Sequence, residues 1–487
     1  MGIKPTGNYL NLSNESLSFG VITVCAVCVF ILIANILRRK IPLFRRSLMP
    51  TSVIAGLLGL VIKEIVLAAT GFNIFNTAAL GGLVYHLLPV GFIALCLREK
   101  GDYAFEFNKN QLTKERVAAA KSGCVIISTY LLQGIIGIMV TFLLGVTFMP
   151  ALNRAVGIIL PLGYGQGPQQ ASATGYIWDA AKYMDAWGPG SARNYGLTIA
   201  ALGFLWASVP GIILVNRIAK KRGITLNNDE FQKSGELTSH VIEGPDEVPL
   251  SESIDKFSLQ ICMVGGVYLV TIGVIICIEM LFRWSGIPFL IDLVPTFWGF
   301  AFMLAVLIAL GVKMILRRLV KTGVMHRKYP NSYMMNRISG AAFDISIAAA
   351  LFMISVTSLG TLWIPVLIMG TLGGFATIFF LRPLCNYIYK GYPDEAFLAF
   401  YGNLTGTIAN GMILTREIDR DFRTPASDDL VIGSAAAIIL GFPLLLLIAQ
   451  APRPGNLWWV SMVLVIYFFV LVGYLLKDLL FRRKKAK

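Results

Sequence analysis

Apolar runs of about 20 residues, the length that crosses a bilayer as a helix, recur at 18–37, 50–70, 78–97, 117–148 and 194–217, then at 257–282, 295–316, 340–358, 362–382, 430–449 and 457–478. The pattern predicts eleven transmembrane helices. Two further stretches, 153–181 and 395–418, begin apolar and then turn polar and glycine-rich, which predicts re-entrant hairpins that enter and leave on one side. The first, LPLGYGQGPQQASATGYIWDA at 160–180, breaks at Gly163, Gly165, Gly167 and Pro168, and Gln166, Gln169, Gln170, Ser172 and Thr174 add amide and hydroxyl groups with no charge before Asp179. The second, AFLAFYGNLTGTIANGMILTREID at 396–419, breaks at Gly402, Asn403, Leu404, Thr405 and Gly406, with a polar half-helix expected from near Thr407. Broken polar backbone at membrane depth is tolerated only where protein buries it or where it lines a wet cavity, so both breaks are candidate binding elements.

The order of elements repeats. Four helices, a hairpin and a fifth helix fill 18–217 and again 257–449, separated by the charged, Pro- and Gly-containing linker 218–256. Five crossings per unit is odd, so the second unit starts on the opposite side from the first. The expected fold is an all-α inverted five-plus-five repeat with two re-entrant hairpins. Residues 1–17 precede it, and 450–487 add one extra C-terminal helix with a basic tail.

Composition agrees with a polytopic membrane protein: 56% of the 487 residues are hydrophobic, only 14% are charged, and the mean hydropathy is +0.70. The net charge of +15 does not imply a nucleic-acid partner. Of the 42 Lys and Arg, 34 fall in the segments that become cytoplasmic when the N-terminus is outside, Lys63 and Lys121 fall within spans, and only Lys4, Arg154, Lys182, Arg193, Arg283 and Arg453 fall outside. That bias predicts an outside N-terminus and a cytoplasmic C-terminus in the cell's inner (plasma) membrane. No basic region precedes the first apolar run, so it reads as a retained helix and not a cleaved signal. Cys25 and Cys28 form a CxxC at helical spacing in an apolar run, which reads as packing, since no second ligand pair accompanies it.

Each hairpin is expected to aim the N-terminal end of a short helix at the midplane, where unpaired N–H groups and a partial positive dipole suit a carboxylate. Candidate substrate contacts are Gly163, Tyr164, Gly165, Gln166, Gly167, Gln169 and Gln170 in the first hairpin, and Gly402, Asn403, Gly406, Asn410 and Arg416 in the second. Unwound carbonyls with the oxygens of Ser172, Thr405, Thr407, Asp344 and Ser346 suit a hard cation such as sodium. Asp344 is either a cation ligand or a partner for Arg337. Arg416 either grips a carboxylate or is a solvated cytoplasmic arginine. Lys63 and Glu64 are adjacent on a helix and are expected to face apart. Asp179, Lys182 and Asp185 are expected to form a solvated rim.

The hairpins and local sequences resemble the sodium/glutamate symporter family over most of 18–449. LGYGQGPQQA occupies the place of that family's S-G-G-H-G-T run, LTGTIANGM at 404–412 is close to its G-x-x-T-x-T-A-I-A-N-M, and MPTSVIAGLLG at 49–59 is similar to I-P-E-P-V-A-G-G-L. Tyr164 and Gln166 stand where better-known members have Gly-His-Gly. The resemblance implies sodium-coupled import of glutamate by a homodimer with an elevator-like movement of the hairpin-bearing part, and no cofactor beyond the coupling ion. Rival readings are a citrate-type 2-hydroxycarboxylate symporter and an uncoupled anion channel or sensor. An enzyme is not expected, since no HExxH, GxSxG or paired intramembrane carboxylates occur.

Overall fold

The computed structural model describes residues 15–42, 44, 48–98, 109–188, 190–223, 250–291, 293–325, 330–419 and 423–477. Most of the linker, the first 14 residues and the basic tail lie outside the described residues. The described residues are helical with no strand. Eight of their helices are long and apolar enough to cross a membrane, or nine if a pair bent by 49° is one span, so the chain is a polytopic helical membrane protein.

The helices in order are α1 (Glu15–Lys40), α2 (Thr51–Thr70), α3 (Thr77–Leu97), α4 (Lys109–Thr147), α5 (Pro168–Ala180), α6 (Ser191–Arg222) and α7 (Leu250–Ser285). They continue as α8 (Ala301–Lys321), α9 (Ser332–Phe352), α10 (Trp363–Ile388), α11 (Pro393–Thr405), α12 (Ile408–Ile418), α13 (Ala426–Leu440), α14 (Phe442–Gln450) and α15 (Leu457–Leu475). The count falls short of eleven at two places. The run expected at 295–316 is broken at Phe300, so α8 starts at Ala301 and carries Lys313, Arg317 and Arg318 in its apolar length. The run expected at 340–358 belongs to α9, which begins earlier, includes Asn336, Arg337 and Asp344, and unwinds after Phe352.

The chain divides into two compact units that do not follow the two sequence halves. One unit comprises 81–106 and 227–346. Its core joins Ile93, Ala94 and Leu97 of α3 to Val264 and Val267 of α7, Ala305 and Ala309 of α8, and Met335 and Ile338 of α9. The Lys313 ammonium donates to the carbonyl of Cys96 at 3.0 Å, satisfying the C-terminal end of α3.

The other unit comprises 1–80, 107–226 and 347–487 and contains both broken stretches. Within it α4 packs on α13, α10 packs on α6, and α4 and α10 pack on each other, so the helix before each broken stretch lies against the helix after the other. Small residues permit the close approach. A Cβ on Gly433 of α13 would lie 2.5 Å from Ser122 Cβ of α4, and one on Gly374 of α10 would lie 2.3 Å from the Trp206 ring of α6.

Where α9 ends, 353–355 is unwound and half or more buried. Buried Lys63 of α2 donates to the carbonyl of Phe352 at 3.2 Å and to that of Ile354, and Glu64 lies 3.0 Å from its ammonium. The expectation that Lys63 and Glu64 face apart is thereby corrected: the broken end of α9 draws the ammonium to its carbonyls, and the long lysine stem still meets its neighbour. Asn194 of α6 closes the break with two bonds, its Nδ2 donating to Ser355 O at 2.7 Å and its Oδ1 accepting from Ser355 N at 2.8 Å.

Candidate functional site

The first broken stretch opens with a 3₁₀ turn, Arg154–Ile159, whose first free N–H is taken by the Asn153 side chain, accepting from Ala155 N at 3.0 Å. A wide turn over Leu162–Gln166 follows, and the chain then reverses at Gly167, with φ 93° and ψ 172°, into α5. Only glycine takes that φ without strain, and Pro168 at the first helical position has no N–H to leave unpaired. In the second stretch α11 ends at Thr405, the chain turns at Gly406, with φ −144° and ψ −100°, Thr407 is extended, and α12 starts at Ile408. Neither Gly167 nor Thr407 caps its helix with a side chain, so the first-turn N–H groups of α5 and α12 have no such acceptor.

The two reversals meet. A Cβ on Gly167 would lie 3.7 Å from Thr407 Cγ2. Helix α6 runs beside both: a Cβ on Gly203 would be 2.7 Å from Thr405 O and 3.0 Å from the Tyr164 ring, and Ala207 and Gly211, one and two turns on, meet Gly406 and Leu414. Four side chains fix the crossing, two from α4 and two from the broken stretches themselves. Tyr130 of α4 donates to Gly165 O at 2.8 Å, Tyr164 to Gly370 O at 2.6 Å, and Tyr401 to Trp206 O at 2.7 Å. Gln133 of α4 donates through Nε2 to Thr377 Oγ1 at 2.8 Å and to Leu404 O at 2.9 Å.

These bonds leave specific atoms unused. Gln133 Oε1, Gln170 Oε1, Thr174 Oγ1 and Ser208 Oγ are buried without a hydrogen-bond partner, on residues at most 5% exposed. The Gln133 amide cannot be turned round to cure this, because its oxygen would then face the Leu404 carbonyl. Two uncapped helix N-termini and the side-chain oxygens of Gln133 and Thr407 thus share one buried crossing, a set that suits an anion beside a cation or ammonium group.

The expected site residues sort accordingly. Gly167, Gln169, Gln170, Thr405, Gly406, Thr407 and Asn410 come together at the crossing, with Gln166 half-buried beside them. The Thr405 hydroxyl donates to Tyr401 O at 2.7 Å and that of Thr407 to Asn410 Oδ1 at 2.9 Å, which leaves both oxygens lone pairs for a cation. Ser172 and Asn403 are buried on α5 and α11. Gly163, Gly165 and Gly402 are close-packed on their Cα side. A Cβ on each would meet Ile199, the Tyr130 ring and Gly411 N at 2.7, 2.1 and 2.6 Å. Tyr164 is fully buried and its hydroxyl is committed to Gly370, so it pins the turn. Arg416 is exposed eight residues past the start of α12, about 12 Å along the axis from the crossing at about 1.5 Å per residue. Asp344 and Ser346 belong to the other unit, where Ser346 donates to Val84 O at 3.4 Å.

Asp179 is not merely rim. Its carboxylate accepts from Ala192 N at 2.9 Å and Arg193 N at 3.2 Å, capping α6, where the negative charge also suits the helix dipole. At the far end of α6, Arg222 donates to Asp394 Oδ2 at 2.9 Å and Glu395 Oε2 at 3.2 Å, and Arg382 of α10 lies 2.6 Å from Asp394, so the start of α11 is held from two sides. Sequence reading missed Tyr130, Gln133, Gly203, Ser208 and Tyr401. For Gln133 a signal existed: it is the one long amide within the apolar run 117–148.

No family model, curated protein or solved structure matches the chain.

Proposed function

We propose that the chain is a secondary active transporter that binds a small organic anion together with sodium at the crossing of two re-entrant hairpins. The observation that carries this reading is the meeting of two uncapped helix N-termini, at Gly167 and Thr407, beside buried acceptor oxygens without partners. The N-termini take the carboxylate, and the oxygens of Thr405, Thr407, Gln133 and Ser172 take the cation. Each ligand lowers the electrostatic cost of the other in a site shielded from bulk water, which is the physical basis of coupling. The exchanged packing of α4 with α13 and of α6 with α10 supports two related, inverted halves. The basic segments support an outside N-terminus and a cytoplasmic C-terminus. Glutamate is the first substrate to test, followed by hydroxycarboxylates such as citrate.

The decisive experiment is uptake into proteoliposomes from a panel of amino and hydroxy acids, with sodium or choline outside, followed by counterflow. Sodium-dependent accumulation with one-for-one exchange of labelled substrate supports a symporter. Flux without exchange indicates a channel, and accumulation indifferent to sodium removes the sodium-coupled reading.

A further inference from the structure

Four basic residues that depart from the bias of Lys and Arg along the chain, Arg154, Lys182, Arg193 and Arg453, gather at one end of the unit that holds the crossing. The joint is Asn153, whose Nδ2 donates to the carbonyls of Tyr183 and Pro452, each at 3.4 Å. Arg154 follows Asn153, Lys182 precedes Tyr183 and Arg453 follows Pro452, so backbone geometry alone keeps three basic Cα atoms within about 10 Å of that nitrogen. Arg193 joins them where α5 ends, because Asp179, three residues before Lys182, accepts from its N–H at 3.2 Å. Arg154 and Lys182 are exposed, and Arg193 and Arg453 are half-buried. Across 150–193 and 451–456 the only carboxylates are Asp179 and Asp185, so four basic residues leave a net charge of +2. The stretch 355–362, tied to this end of α6 by the bonds between Asn194 and Ser355, carries no charge.

Local stability does not account for the charges. Arg154 opens the 3₁₀ turn Arg154–Ile159 and Arg193 is the third residue of α6, and at both N-terminal ends the helix dipole opposes a cation. Lys182 does suit the end of α5, yet its φ of 60° lies in the left-handed region, where glycine or asparagine closes a helix with less strain. We propose that this end of the unit is a basic surface that draws small anions, carboxylates foremost, to the end of α5, which spans about 20 Å between it and the crossing. At 10 mM salt, where the Debye length is about 30 Å, a net +2 at about 10 Å concentrates a monovalent anion about 2- to 4-fold and depletes a cation equally. Its role in loading the crossing rests on the crossing binding an anion; the attraction itself does not.

A charge-sensitive labelling of the full chain in nanodiscs of zwitterionic lipid tests this. Ala181→Cys places a thiol at an exposed position beside Lys182, and its rates with an anionic and a cationic methanethiosulfonate are read by mass spectrometry apart from the native cysteines. Their ratio, divided by that for 2-mercaptoethanol, cancels any effect on the thiol itself. It should be about 5- to 10-fold in favour of the anionic reagent at 10 mM salt and fall below about 1.5-fold at 1 M, where the Debye length is about 3 Å. Adding Lys182→Gln and Arg154→Gln, which brings the local charge to zero, should reduce the low-salt ratio to within about twofold of unity, and Lys182→Arg should leave it unchanged. A low-salt ratio near unity overturns the proposal. So does a high ratio that survives both neutralising changes, since the potential would then come from elsewhere. Labelling needs no transport, so failure of the symporter reading and failure of the anion-gathering surface are separate results.

Discussion

Replacing Gln133 with Leu tests whether the crossing is a site or only a joint. The amide nitrogen of Gln133 makes two bonds, to Thr377 Oγ1 at 2.8 Å and to Leu404 O at 2.9 Å, while Oε1 has none. Leucine is of similar size, so the loss is polar. It removes two bonds worth about 0.5–1.5 kcal/mol each and strands the buried Leu404 carbonyl, for a total of about 2–4 kcal/mol of stability. If Oε1 is also a sodium ligand, a charge-assisted contact of about 1.5–3 kcal/mol disappears from the bound state. That is about a 10- to 150-fold rise in half-saturating sodium, at 1.4 kcal/mol per tenfold. Thr377→Val separates the two effects, because it breaks the bond from Gln133 and leaves Oε1 in place. It should cost about 1 kcal/mol of stability and change sodium affinity less than about threefold. Thermal unfolding of detergent-purified protein reads the first quantity and sodium titration of substrate uptake the second. A Gln133→Leu protein that is destabilised yet keeps the wild-type sodium half-saturation refutes the reasoning and leaves Gln133 as scaffold.

Three further outcomes are expected. Thr407→Val, which keeps shape and removes the oxygen, should raise half-saturating sodium about 5- to 150-fold and change substrate affinity at saturating sodium by less than about threefold; calorimetric titration checks this, together with the requirement that sodium and substrate tighten each other by one common factor. Gly137→Ala should lower stability by about 1–3 kcal/mol or abolish folding, because its Cβ would lie 2.0 Å from the Gly157 carbonyl oxygen, whereas Gly134→Ala, whose nearest neighbour is Leu464 Cδ1 at 3.5 Å, should be tolerated. Equal thermal stability of the two variants contradicts that account of the seam. For orientation, cysteines at exposed Lys182 and Gly391 should react in opposite ways with an impermeant thiol reagent on whole cells, Lys182→Cys labelling and Gly391→Cys resisting; the reverse pattern inverts the topology.

The breaks at Gly167 and at Gly406–Thr407 are legible in the sequence because glycine and polar residues interrupt apolar runs that otherwise have only packing to satisfy. Most helices are legible for the same reason. What the sequence does not disclose is partnership across long separations. Gly163 and Gly165 read like Gly167 until it is known that Ile199 and the Tyr130 ring occupy the space beside them. Lys63 and Glu64 were separated by the rule for neighbours on one helix. The carbonyls that reorganise them belong to Phe352 and Ile354, almost 300 residues on. Asp179 reads as rim because its cap partners begin 13 residues away, past a loop without regular periodicity. In α8, the shortfall from a full span depends on the break at Phe300, which the neighbouring Gly299 alone does not announce in an otherwise apolar run.

The unit that holds the crossing is assembled from 1–80, 107–226 and 347–487, whereas its companion needs nothing beyond residue 346. During synthesis, therefore, α4, α5 and α6 enter the bilayer well before α10–α13 exist to cover them. At about 5–20 residues per second the stretch after residue 346 takes about 7–30 s to make. Throughout that interval the carbonyl of Gly370, the Leu404 carbonyl and the helices that carry them are not there to meet Tyr164 and Gln133, and the uncharged amides of the first broken stretch face lipid or the insertion machinery. Biogenesis is thus the period of greatest exposure to quality control. Chains truncated after residue 346 should be degraded even though one of the two compact units is complete, and co-expressing the missing C-terminal part should rescue them.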